Sequence, residues 1–309
     1  MKTNISSIFI TGGSGLLALN WAFDINNQYT ITLGTHKRKI SLGEEGITTY
    51  QSSLGTTDAI QSIFDEVEPG LVIHTAGLTN VEACEADPEL ARYANIELAE
   101  NIAKSCSSND VKLVHISTDH LFSGDIMMAE EDQPVNPVNM YGKTKAEAES
   151  RVLEIKPDAL VIRTNFYGWG PTYRRSFSDM IIDTLRKQQA ITLFQDVHYT
   201  PILISKLTKA VMSLATQNMN GIFHVVGDER ISKYEFGLKV ASQFGLDEGL
   251  INAGNISDKP NLVKRPIDMS LSNRKICKVL GNGIGDVEDG LVGLSSQRAH
   301  ESYERITSL

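Results

Sequence analysis

Cysteine is scarce in this 309-residue chain, and long apolar runs are absent. The three cysteines, Cys84, Cys106 and Cys277, lie far apart and form no Cys-x-x-Cys pair. That excludes a disulfide framework and points to free thiols in a reducing compartment. The seven histidines are scattered, with no His-Glu-x-x-His and no Cys/His cluster, so no metal site is expected. No stretch approaches the ~18–20 apolar residues that a membrane span needs. The start, MKTNISSIFITGG, lacks the apolar stretch of a secretory signal. A soluble, cytoplasmic protein with no membrane partner is expected. An excess of basic residues is also missing: 29 Lys and Arg stand against 38 Asp and Glu, a formal net charge of -9. General nucleic-acid binding is therefore not expected, although a local phosphate pocket is still allowed.

What is present fits a globular chain with a real core. Hydrophobic residues make up 41% and charged residues 22%, and the length suits one large α/β unit or two intimately joined domains. Strands are predicted at Ser7–Thr11, Thr30–Gly34, Leu71–Thr75, Lys112–Ser117 and Ala159–Arg163. Helices are predicted between them at Gly15–Phe23, Thr56–Glu66, Pro88–Ser105 and Tyr141–Lys156. Alternating strands and helices, with β-branched strands, imply an α/β fold with a doubly wound parallel sheet. After Thr164 the rhythm changes. NFYGWGPTYRRSFSD reads as a functional loop, and helices are predicted at Phe177–Lys187, Ile204–Thr216 and Lys233–Phe244, with a strand at Ile222–Val226. The tail from Leu246 is expected to form short elements packed over a cleft.

The stretch IFITGGSGLLALNWA places a glycine-rich turn between a strand and a helix, the setting of a dinucleotide site. Gly12 allows the tight turn, and Gly15 lets backbone N–H groups approach a pyrophosphate at the helix N-terminus. Ala18 stands where a third glycine often occurs, and it is small enough for close helix–strand packing. An ordinary strand-to-helix turn is the competing reading. NAD sites usually carry an acid about 20 residues further on, to hold the ribose 2′-hydroxyl. Here TLGTHKRK offers His36, Lys37 and Arg38 instead. Cations suit a 2′-phosphate, so NADP(H) is favoured over NAD(H), with a solvated basic loop as the alternative.

VNMYGKTKAEAE holds Tyr141 and Lys145, spaced i, i+4 on one face of a helix start. An ammonium beside a phenol favours phenolate and lowers its pKa from ~10. Such a tyrosine can pass a proton to a carbonyl oxygen as hydride reaches its carbon. The preceding strand ends HISTDHLFSG, so Ser117 and Thr118 lie where open parallel sheets bind ligands. A hydroxyl there can donate to a substrate carbonyl, though Ser and Thr also serve as routine caps.

Together these segments resemble an extended short-chain dehydrogenase/reductase. They are most similar to the dTDP-4-dehydrorhamnose reductase family, through TGGSGLLA, HTAGLTNVEACEADP, the Asn95 segment, ISTDHLFSG, YGKTKAEAE, IRTNFYG, HYTPILISKLTKAV and KRPIDMSLSNRKI. The resemblance implies a Rossmann-type cofactor domain from residues 1–164 and 196–226. A smaller, interleaved substrate-binding region would come from 165–195 and 227–309. It implies Thr118, Tyr141 and Lys145 as the catalytic triad: Tyr141 protonates the sugar C4 oxygen, Lys145 tunes it and binds the nicotinamide ribose, and Thr118 orients the carbonyl. Gly12, Ser14, Gly15 and Leu16 would line the pyrophosphate. Leu54, Ala76, Gly77 and Thr79 would lie along the cofactor. Val81, His120, Asn165, Phe166 and Arg265 would face a nucleotide-sugar, and Arg174 and Arg175 are candidates for a diphosphate clamp or for a solvated surface pair. The sequence admits a homodimer.

The chain departs from the pattern in places. His120 stands where a tyrosine is usual, Gly77 where an alanine is usual, and Ser53 precedes Leu54 where an Asp often contacts adenine. A dehydratase of the superfamily would carry an Asp-Glu pair after the threonine, and here Asp119 and His120 follow Thr118. Two alternatives stay open. One is an epimerase using His120 and His198 as an acid/base pair. The other is a regulatory subunit that binds NADP and does not turn over.

Overall fold

The computed structural model describes residues 5–51 and 53–309. The first four residues of the expected cofactor domain, and Ser52, lie outside that set. The chain opens with β1 (Ser7–Thr11), α1 (Leu16–Ile25), β2 (Thr30–Thr35), β3 (Ile47–Gln51), α2 (Thr57–Val67) and β4 (Leu71–His74). Next come α3 (Val81–Ala86), α4 (Pro88–Arg92), a π-helical turn (Tyr93–Glu97), α5 (Leu98–Ser108), β5 (Lys112–Ile116), α6 (Met140–Ile155) and β6 (Leu160–Arg163). The second half holds β7 (Phe166–Tyr167), α7 (Phe177–Arg186), β8 (Ile191–Phe194), β9 (His198–Tyr199), β10 (Ile202–Leu203), α8 (Ile204–Thr216) and β11 (Gly221–His224). It closes with β12 (Ile231–Ser232), α9 (Lys233–Phe244), β13 (Ile251–Gly254), α10 (Arg274–Leu280), α11 (Val287–Ser296) and α12 (Glu301–Thr307).

Seven strands form one parallel sheet in the order β11-β6-β5-β4-β1-β2-β3. Its strands are apolar on both faces. In β1, Ile8 and Ile10 pack with α1 and α8, whereas Phe9 packs with α2, α5 and α6 on the opposite face. Covered faces on both sides are what a parallel sheet requires. From β1 the chain winds outward to β2 and β3, then restarts at β4 in the other direction. The loops after β1 and β4 therefore diverge and leave a crevice at the carboxyl ends of the strands. A second apolar cluster joins α7, α9, α11, β8 and β13 around Phe236, Ile182 and Leu291. This smaller lobe sits beside the crevice and is interleaved with the sheet in sequence.

The structure differs from the sequence expectation in several places. The predicted helix over 88–105 is broken by the π-helical turn, which turns Asn95 into the interior at 2% exposure. Strand β3 was not foreseen, because ITTYQ is an edge strand with little apolar content. The tail does not simply cover the cleft. Ile276 of α10 and Ile306 of α12 are buried in the cluster behind the sheet, beside α1 and α8, while Val287, Leu291 and Leu294 of α11 enter the second lobe.

Helix α6 is tied to the sheet by a buried ion pair. Arg163 of β6 donates to Glu149 through Nε at 3.1 Å and Nη2 at 2.8 Å, with both side chains 4% exposed. Removing one partner strands the other charge, so Glu149→Ala is expected to lower unfolding free energy by about 3–5 kcal/mol. Urea denaturation measures this; a loss below about 1 kcal/mol would contradict the assigned role.

Candidate active site

A cleft of about 940 Å³ opens at the carboxyl ends of β1, β2, β4, β5 and β6. Its floor begins at the glycine turn. Gly12 has φ +69°, and a Cβ there would lie 2.9 Å from Thr75 Oγ1 and 3.0 Å from the Ala76 nitrogen. Only glycine tolerates that conformation and that approach. The turn is pinned by Gly15 N donating to the Gly12 carbonyl at 2.7 Å and Gly13 N to the Gly34 carbonyl at 2.8 Å. Gly15 caps α1 without any side-chain hydrogen bond. The first N–H groups of the helix thus have no side-chain acceptor, which suits an anion there. Ala18 is fully buried in the core, as close helix–sheet packing needs.

Ser14, Gly15 and Leu16 line the cleft beside this turn. His36, Lys37 and Arg38 line it after β2, with Leu54 further out. Ala76, Gly77, Thr79 and Val81 line it after β4. Asn95 braces this last segment: its Oδ1 accepts from Leu78 N at 2.7 Å, and its Nδ2 donates to the Leu78 carbonyl at 3.1 Å and to Thr144 at 3.0 Å.

Thr118 and Tyr141 meet where β5 ends against the start of α6. Asn139 caps α6, accepting from Gly142 N at 2.9 Å. A Cβ on Gly142 would lie 2.3 Å from the His120 carbonyl oxygen, so only glycine permits this approach. Lys145 stands one turn on and donates from Nζ to the Ile116 carbonyl at 2.7 Å. Sequence reasoning expects Lys145 to lower the Tyr141 pKa. In the structure burial dominates and pushes Tyr141 up to about 12, partly offset by its hydrogen bond with Thr118. Burial also brings Lys145 down to about 8, with Glu149 opposing. The stacked imidazoles of His74 and His115, 5.4 Å apart, lie close by, and burial holds His74 near 3.

The opposite wall comes from the segment after β5 and from the second lobe. His120 sits edge-on to Tyr141 at 5.4 Å between ring centroids, and burial keeps its pKa below the ordinary value. Asn165 donates to Asp119 Oδ2 at 2.5 Å, and Phe166 lies beside it on the cleft wall. Arg174 reaches across the mouth to Thr79, whereas Arg175 pairs with Asp183 at 3.3 Å and donates to the Gly170 carbonyl. Arg265 is not among the residues lining the cleft: its Nη2 bonds Glu82 at 2.6 Å, and its charge adds to the lowering of the His120 pKa that burial begins. His198 is not brought to the cleft either. It lies on β9, held through its backbone by Ile267 and Met269.

Three residues in the cleft lining or beside it escape sequence reasoning. Asp119 follows Thr118 and links it to Asn165. Tyr173 lies in the functional loop but had no assigned partner. Lys233 opens α9 with its ammonium 3.3 Å from the Tyr199 ring centroid, near the charges of Asp119 and Arg265. Nothing in the linear sequence links position 233 to position 119. Among the described residues, no group of three or more His, Cys, Asp or Glu side chains is placed to hold a metal ion, and no helix is long and apolar enough to cross a membrane.

Comparison with known proteins gives consistent matches along most of the chain. The family described as the RmlD substrate binding domain matches residues 6–296. A protein of Haloferax volcanii named "Probable low-salt glycan biosynthesis reductase Agl14" is 28% identical over 93% of this chain and 97% of its own. Methionine adenosyltransferase 2 subunit beta of Bos taurus is 27% identical over 89% of this chain and 83% of its own. Among solved structures, dTDP-4-dehydrorhamnose reductase from Bacillus anthracis in complex with NADP superposes with a TM-score of 0.81. It is 22% identical and covers 95% of this chain and 100% of its own, a likeness of fold.

A buried phenol held near 12 stays protonated throughout the neutral range. The absorbance difference between wild type and Tyr141→Phe, titrated without ligand, should contain no phenolate signal below about pH 10, the unperturbed phenol value. A phenolate signal at neutral pH would mean that Lys145 prevails over burial.

Proposed function

The chain belongs to the RmlD substrate binding domain family, and on that premise we propose that it is an NADPH-dependent reductase of a nucleotide-linked 4-keto-6-deoxyhexose. The reduced carbon is C4, the nucleotide is dTDP, and the product feeds polysaccharide or glycan synthesis. One observation carries this reading. Thr118, Tyr141 and Lys145 line the same cleft as the glycine turn, so a proton donor and a dinucleotide cradle share one space. The division into a cofactor domain (1–164 and 196–226) and a substrate region (165–195 and 227–309) is part of the proposal.

The cleft residues fit a nicotinamide dinucleotide. The uncapped start of α1 and the strained Gly12 turn suit a pyrophosphate. His36, Lys37 and Arg38 suit a 2′-phosphate. When bound, the nicotinamide supplies a hydride. Tyr141, kept protonated by burial, donates its proton to the ketone oxygen, and Thr118 hydrogen-bonds the same oxygen and orients the carbonyl. Lys145, held to the Ile116 carbonyl, binds the nicotinamide ribose with its remaining donors. Val81, His120, Asn165 and Phe166 position the sugar. Arg174 is close enough to the mouth to engage the sugar's diphosphate. Arg265 supports the wall through Glu82.

The kinship with methionine adenosyltransferase 2 subunit beta favours a second reading, a dinucleotide-binding regulatory subunit. The two readings separate on turnover. With dTDP-4-keto-6-deoxyhexose as substrate, Tyr141→Phe should lose about 10²–10⁴-fold in kcat and keep its NADPH affinity. Wild-type protein that binds NADPH tightly and turns over no keto-sugar would sink the reductase reading. Lys37→Ala combined with Arg38→Ala should weaken NADPH by roughly tenfold or more and NADH by much less, since only one ligand carries the 2′-phosphate. Equal losses in calorimetric titrations would remove these cations from cofactor selection.

A further inference from the structure

The loop from Gly168 to Ser176 is anchored at both ends. At one end the Trp169 indole donates to the Leu294 carbonyl at 2.9 Å, and Asn20 donates to the Trp169 carbonyl at 2.8 Å. At the other end Ser176 and Asp179 form a reciprocal cap, and Asp179 also accepts from Gly170 N at 2.8 Å. The middle of the loop crosses from the second lobe to the cofactor side. There the Tyr173 hydroxyl donates to the Ser14 carbonyl at 2.9 Å, in the glycine turn. The Arg38 guanidinium lies over the Tyr173 ring, with its carbon 3.7 Å from the centroid. Arg174 bonds Thr79 on the next loop.

We propose that Tyr173 selects the cofactor: its ring holds Arg38 in place for the 2′-phosphate of NADPH, and its hydroxyl locks that ring to the pyrophosphate turn. Stacking uses the face of a guanidinium and leaves its in-plane N–H donors free at the edge. A stacked Arg38 can therefore still form a two-pronged contact with a phosphate. Among the described residues no carboxylate forms an ion pair with Arg38, so the tyrosine is the contact that fixes it. An arginine already ordered loses less conformational freedom when the phosphate arrives. Arg38 comes from the segment after β2 and Tyr173 from the loop beside the second lobe, so the same contact joins cofactor choice to the seating of the loop over the cleft. This inference rests on the NADPH reading of the site.

The test is the dissociation constant of NADPH and of NADH for wild type, Tyr173→Phe, Tyr173→Ala, Arg38→Ala and the double variant Tyr173→Ala with Arg38→Ala, measured by quenching of protein fluorescence. Tyr173→Ala should weaken NADPH roughly fivefold and NADH less than about twofold. Tyr173→Phe keeps the ring and should keep the NADPH-to-NADH ratio, losing equally on both cofactors through the missing Ser14 bond. The double variant should show the same NADPH-to-NADH preference as Arg38→Ala alone, since Tyr173 selects between the cofactors through Arg38. If Arg38→Ala diminishes the preference for NADPH and Tyr173→Ala does not, the inference fails while the NADPH reading stands. If Tyr173→Ala weakens both cofactors equally, Tyr173 only seats the loop and the inference fails. If wild type shows no preference for NADPH, the cofactor reading fails and takes the inference with it.

Discussion

The first turn of α6 lies against the segment leaving β5 so closely that a single methyl group at Gly142 would strike the His120 carbonyl. The site depends on that approach. It sets Tyr141 beside Thr118, lets Lys145 reach back to the Ile116 carbonyl, and brings His120 to the edge of the phenol. The approach is held at two points along the helix. Asn139 caps the first turn and bonds the Lys264 carbonyl, and Glu149 grips Arg163 on β6. Small residues and backbone carbonyls thus fix the geometry, and the reactive side chains occupy what is left.

Desolvation governs the chemistry of these groups more than charge pairing does. Tyr141 is pushed up, while Lys145 and Lys233 are drawn down to about 8 by the same burial. For a reduction this has a simple consequence. The proton needed by the product oxygen is already on Tyr141 at neutral pH, so no phenolate has to form before the substrate arrives. The buried histidines His74 and His115 are kept neutral by the same effect.

Much of the architecture was legible because apolar alternation is local information. Ile8, Phe9 and Ile10 already declare a strand covered on both faces, and the glycine turn after them lies in the cleft. Helices Ile204–Thr216 and Lys233–Phe244 carry their periods within their own residues and fall where expected. The edge strand β3 has no such period, and the break at Asn95 is a packing decision made by Leu78 and Thr144 from outside the helix. In the site, residues close in sequence to a motif were found, and those that meet only in space were not. Tyr173 touching Arg38 joins positions 135 residues apart by simple subtraction of their numbers, and Lys233 near Asp119 joins two lobes. Arg265 pairs with Glu82, a contact between positions that no local motif announces.

The central claim is that this cleft delivers a hydride to C4 of a nucleotide-linked keto-sugar. The most direct test supplies dTDP-4-keto-6-deoxyhexose with NADPH carrying deuterium at nicotinamide C4, on either face in separate reactions, and reads the sugar product by NMR. Deuterium is expected at sugar C4 from one of the two labelled cofactors, in step with loss of absorbance from the reduced nicotinamide. Product without deuterium at C4, or a changed sugar with no net consumption of NADPH, would contradict that claim and place the protein among the epimerases of its fold.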